Sequence, residues 1–115
     1  MAHASSDPLV VLITFPSQQD AQTIAATLVK ERLAACVNLI TGIRSVFIWE
    51  GSLQDTPEVL GVVKTSQDRL DSLVSRVKLL HPYSVPEIIA VPIVGGDNRY
   101  LQWLREAVSD PIKPS

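Results

Sequence analysis

At 115 residues the chain is long enough for one domain and too short for two, and its 46% hydrophobic and 19% charged content leaves it poor in charge for a soluble domain. A formal net charge of −2, with Lys and Arg scattered singly and only 5% aromatic residues, argues against a nucleic-acid partner, because neither a basic stripe nor a base-stacking platform is present. The lone Cys36 rules out an intrachain disulfide, Met1–Pro8 has no signal-peptide pattern, and no apolar run reaches membrane-helix length; the expectation is a cytoplasmic protein without membrane insertion.

Residues 1–8 and 110–115 read as flexible tails around a single domain over 9–109. Leu9 to Phe15 is a continuous apolar run, the pattern of a strand buried on both faces. Ser17 and Asp20 form a capping box, and Ala21, Ile24, Ala25 and Leu28 follow at helical spacing. Cys36 to Ile40 returns to strand character, Thr41-Gly42 predicts a bulge, and Ile43 to Trp49 continues extended. Glu50-Gly51-Ser52 makes a turn, and Val59 to Thr65 is the partner strand.

A second capping box over Thr65–Asp68 is expected to open a helix striped by Leu70, Leu73, Val74 and Val77. A stiff loop between Pro82 and Pro86 leads to a strand over Glu87–Val94, where Pro92 implies an edge or a bulge. Gly95-Gly96 reads as a turn, and Asp97 caps a last helix carrying Leu101, Leu104 and Val108. This order predicts an α+β, ferredoxin-like βαββαβ sandwich with an added C-terminal helix.

Two helices cover one face of a four-stranded sheet, so the other face should turn polar if water bathes it. It does not: Ile89, Val91 and Ile93 alternate with Ile88, Ala90 and Val94, and Val46 and Ile48 oppose Phe47 and Trp49. Covering even ~800 Å² of such surface per subunit is worth roughly 10–20 kcal/mol before association costs, so the chain is expected to assemble.

Several strings align in order: Glu31-Arg32-Leu33-Ala34-Ala35-Cys36-Val37-Asn38, Trp49-Glu50-Gly51, Lys64-Thr65, His81-Pro82-Tyr83, Pro86-Glu87-Ile88, Gly96-Asp97, and Tyr100-Leu101 with Trp103-Leu104. Together they resemble the CutA family of divalent-cation tolerance proteins over about residues 9–108. The resemblance implies a homotrimer whose long hairpin strands pair between subunits, a link to copper and other divalent ions, and no settled enzymatic reaction. It also implies an architecture similar to PII signal proteins, which bind effectors in clefts between subunits. Some bacterial members carry a Cys on the first strand and a His-His pair before Pro-Tyr, proposed as copper ligands; here those positions read Ile13 and Leu80-His81.

His81 is the candidate metal ligand, with Glu87 or Glu50 as carboxylate partner; the alternative is a His hydrogen-bonded within a stiff loop. Cys36 reads as a small buried hydrophobe. Trp49, Glu50, Lys64, Tyr83, Tyr100 and Trp103 form either a ligand-binding cleft or a polar network in which Lys64 pairs with Glu50 or Glu87. No nucleophile–base order, phosphate loop or metal triad points to an enzyme. The expected function is divalent-cation (copper) tolerance with weak metal binding, against the alternative of a PII-like sensor or adaptor with a ligand in the intersubunit cleft.

Overall fold

The computed structural model describes residues 6–109. Strand β1 (Pro8–Phe15) is followed by α1 (Gln18–Lys30), the long strands β2 (Cys36–Trp49) and β3 (Ser52–Ser66), α2 (Leu70–Leu80), β4 (Ile88–Pro92) and α3 (Asn98–Ala107). The strands form one antiparallel sheet in the order β2-β3-β1-β4, the expected ferredoxin-like arrangement with its added helix. Of the two expected tails, Pro8 is paired within β1, and residues 1–5 and 110–115 lie outside the described residues.

Val11, Ile13 and Phe15 of β1 and Val59 and Val63 of β3 point toward Ile24 and Leu28 of α1 and Leu73 and Val77 of α2, forming the main core. The ladder puts Leu12, Val62 and Ile89 side by side on the opposite face, with Val10 and Val91 beside them. Ile40, Ile89 and Val91 are exposed there, as the two-faced pattern predicts. Helix α3 packs against β3 and β1, with Leu104 and Val108 seated on Ala35.

Local chemistry explains most boundaries. The Ser17 hydroxyl accepts from the Asp20 N–H (3.1 Å), the expected N-cap, while the Asp20 carboxylate accepts from that hydroxyl (2.9 Å) rather than from the Ser17 N–H, so only the cap half of the expected box is made. Asp97 caps α3 through the Tyr100 N–H (2.9 Å). Arg32 donates to the Ser109 and Glu106 carbonyls, and Arg69 donates to that of Val108; two guanidiniums thus meet carbonyls at and just beyond the C-terminal end of α3, where the Ser109 N–H and hydroxyl also bond Glu106. The β2–β3 register slips between Ile40 and Ile43, at the expected bulge. Glu50 and Gly51 both take positive φ (50° and 80°), the tight hairpin turn that matches strand twist.

Three expectations are corrected. The second capping box is not made: Thr65 lies inside β3 and donates to the Leu33 carbonyl (2.7 Å), while Ser66 bonds Asp68. The chain therefore enters α2 through a single 3₁₀ turn, Gln67–Arg69, without a side-chain cap. β3 starts at Ser52 rather than Val59, because pairing with β2 extends it through polar residues that have no apolar face to mark them. β4 is Ile88–Pro92 rather than Glu87–Val94; Pro92 ends an edge strand, and Val94 is fully exposed.

Candidate functional site

The site is built around the residue that ends α2. His81 precedes a proline, which disfavours the helical conformation, and it turns extended (φ −76°, ψ 138°) while its N–H still closes the helix onto Val77. The side chain is buried and both ring nitrogens are engaged: Nε2 lies 2.7 Å from the Thr14 carbonyl, and the Tyr83 N–H donates to Nδ1 (3.1 Å). Because Nδ1 accepts, the proton sits on Nε2 and is donated to Thr14. The imidazole also stacks on Phe15 (5.5 Å) and packs against Tyr83 (4.9 Å).

Tyr83 carries the arrangement onward by donating its hydroxyl to Glu58 Oε2 (2.6 Å). Glu58 is only 7% exposed, so this bond satisfies a carboxylate that would otherwise be costly to bury. Burial pushes the Tyr83 phenol up to about 12, helped by the Glu58 bond and charge and by the charge of Asp20.

In front of Tyr83 lies a cavity of about 580 Å³ between the hairpin and the Pro82–Glu87 loop. Its apolar walls are Phe47 and Trp49 of β2 and Pro82 and Val85 of the loop. Thr14, Gln54, Thr56 and Ser84 offer neutral polar groups, and Glu87 is the one carboxylate on the lining. The ladder explains the assembly: past the bulge, Phe47 opposes Gln54 and Ser45 opposes Thr56, so these side chains share the face that meets the loop.

The sequence candidates separate into two groups. Trp49, Tyr83 and Glu87 meet in the cavity, with Glu50 exposed at the adjoining hairpin turn. Lys64, Tyr100 and Trp103 belong to the other end of the 14-residue β2. There Lys64 lies opposite Cys36, Tyr100 reaches the Cys36 thiol, and Tyr100 packs on Trp103 (5.4 Å). Burial and that thiol raise the Tyr100 phenol. Lys64 bonds the Asn38 amide oxygen, not Glu50 or Glu87, because it pairs with Cys36 and so stands diagonal to Asn38, at the end of the β2–β3 ladder remote from the hairpin turn.

Sequence reading missed Glu58, Thr14 and Phe47. Glu58 was the findable one: an acid between Pro57 and Val59 in a strand, on the alternation that also carries Leu60 and Val62. Thr14 contributes a backbone carbonyl, which leaves no trace in sequence. Among the described residues, no three His, Cys, Asp or Glu side chains gather as a metal site.

A family described as "CutA1 divalent ion tolerance protein" matches residues 9–107. The chain belongs to the CutA1 family. The divalent-cation tolerance protein CutA of Thermus thermophilus is 54% identical over 97 residues, covering 84% of this chain and 94% of that protein. Protein CutA 1, chloroplastic, of Oryza sativa is 43% identical over 102 residues, but the chain spans only 58% of its length. Among solved structures, CutA1 of Thermus thermophilus superposes with a TM-score of 0.87 at 51% identity, covering 89% of this chain and 99% of that one. A CutA of Archaeoglobus fulgidus described as periplasmic gives 0.86 at 37% identity, with 89% and 99% covered. The CutA1 fold is therefore shared at the level of the whole described domain.

Proposed function

We propose that this chain serves divalent-cation tolerance in the cytoplasm as a homotrimer that holds copper or another divalent ion weakly and catalyses no reaction. Family membership across residues 9–107 carries the reading. Assembly is supported by the exposed Ile40, Ile89 and Val91 on the face that no α1 or α2 side chain covers. Among the described residues of one chain, no His, Cys, Asp and Glu side chains gather into a tight metal site. Both nitrogens of His81 are committed to Thr14 and Tyr83, so ligation there must break either the buried bond to Thr14 or the part-buried one from Tyr83. Glu87, exposed on the cavity lining, is the carboxylate free to meet a cation.

The test is calorimetric titration of copper, zinc and magnesium into chelator-stripped protein whose trimeric mass has been verified by light scattering. Saturable but weak copper binding, reduced in Glu87→Gln, is expected. A monomeric mass, or heats no larger than those of magnesium, would overturn it.

A further inference from the structure

Helix α1 ends in the backbone arrangement that ordinarily calls for glycine. Glu31 closes the helix, Arg32 takes a left-handed φ of 60°, and the N–H groups of Arg32 and Leu33 return to the Val29 and Leu28 carbonyls (3.1 and 2.9 Å). Glycine adopts this conformation without the clash that a Cβ brings, and asparagine tolerates it. An arginine there needs a reason in its side chain. The helix end does not supply one: its closing bonds are made by backbone alone, and Glu31 separately ties it to Arg76 of α2 (2.8 Å).

The reason lies on α3. Arg32 Nε donates to the Ser109 carbonyl (3.0 Å) and Nη2 to that of Glu106 (3.1 Å), while Arg69, at the entry to α2, reaches Val108 (2.6 Å). Both cations stand where the helix dipole is negative. Otherwise α3 has a small apolar anchor, Leu101, Leu104 and Val108, the latter two seated on Ala35. Its link to β4 is residues 93–97, which include Gly95 and Gly96. Elements with so few buried contacts open at lower cost than the core. We propose that α3 is a strap that opens and closes as a unit over the end of the sheet, with Arg32 as the clasp that holds it shut. Closed, it lays Leu104 on Ala35 and brings Tyr100 to the Cys36 thiol; open, it uncovers both. Every bond of the clasp lies within one chain and involves neither Glu87 nor a metal, so the device is present in monomer and assembly alike.

The experiment is native-state amide exchange on the full chain and on Arg32→Gly and Arg32→Asn, at one protein concentration, with the mass of each checked by light scattering. Both replacements accept a left-handed backbone, so α1 keeps its ending while α3 loses the clasp. Amides over 101–108 should exchange roughly tenfold faster in both variants, with Ile24 and Leu28 of α1 and the core residues Val11 and Val63 unchanged. Arg69→Gln should speed the same α3 amides. Unchanged α3 exchange in Arg32→Gly would overturn the proposal; with a raised thermal midpoint, it would leave Arg32 as no more than a strained helix ending. Acceleration spread equally over α1 and the core would overturn it too. Acceleration seen only where the assembly mass falls would assign the closure of α3 to a neighbouring copy instead.

Discussion

Replacing His81 with Ala should destabilise the protein whether or not any metal is present. Three separate losses follow from its surroundings. The Thr14 carbonyl, on a residue 7% exposed, loses its donor, and an unsatisfied buried acceptor costs about 1–3 kcal/mol. Ring contacts with Phe15 and Tyr83 disappear, each worth about 0.5–1.5 kcal/mol. The Tyr83 N–H loses its acceptor, which loosens the loop that presents Glu87. Together the cost is about 3–5 kcal/mol, a large share of a typical domain's total of about 5–15 kcal/mol. His81→Gln can keep an amide donor on Thr14 and an acceptor for Tyr83, so it should recover the hydrogen-bond part and still lack the stacking. Urea unfolding at fixed protein concentration, in chelator, measures both. A loss below about 0.5 kcal/mol in His81→Ala, or one appearing only with copper, would refute this reasoning and return His81 to metal ligation.

Tyrosinate absorbance should show no ionisation at the ordinary 10.0: the Tyr83 step belongs at about 12 and vanishes in Tyr83→Phe, and the Tyr100 step is also raised. Since the folded state holds the Tyr83 proton more tightly than the unfolded chain does, its contribution to stability is complete below pH 10 and fades as pH rises through about 12. Gly61→Ala would place a Cβ 2.9 Å from Phe15 Cε2 and should cost about 1–3 kcal/mol in urea unfolding, partly recovered by adding Phe15→Leu. Asp97→Ala should lower stability by about 0.5–2 kcal/mol through loss of the α3 cap, read by thermal unfolding.

Much of the fold was legible because periodicity and capping are local. Ser17 with Asp20 and Asp97 with Tyr100 cap within three residues, and Gly42 sits where the β2–β3 register slips. What failed was set at a distance. Thr65 and Ser66 look like a helix start until β3 is paired with β1 and Leu33 claims the Thr65 hydroxyl. The first half of β3, with Gln54, Asp55 and Pro57, has no strand signature of its own, and only the opposing β2 residues order it. The candidate site divides the same way. Trp49, Tyr83 and Glu87 were found as residue types in recurring strings. Glu58 was not, because its role depends on a phenol 25 residues further along the chain. Lys64 was assigned a carboxylate partner from charge alone, and the ladder gave it Asn38.

The hairpin tip provides a separate test of assembly. β1 pairs with β3 only from Val59 to Ser66, so Ser52 to Glu58 pair with β2 alone. An isolated two-stranded ribbon is marginally stable in water. This one also leaves Val46, Ile48 and Leu53 63%, 71% and 73% exposed. Ile48 and Leu53 face each other across the ladder, so they form one continuous apolar patch beyond the body of the sheet. If a second copy of the chain covers the patch, amides over 44–55 should exchange nearly as slowly as those of the core residues Val11 and Val63. Replacing Ile48 and Leu53 together with Thr keeps strand propensity while removing apolar area, so any effect reports lost cover rather than lost strand preference. The double variant should fall to monomer mass and release protection at the tip, with core protection retained. A monomer whose tip is already protected would show that the ribbon stands alone, and a variant that keeps both mass and protection would place the subunit contact elsewhere.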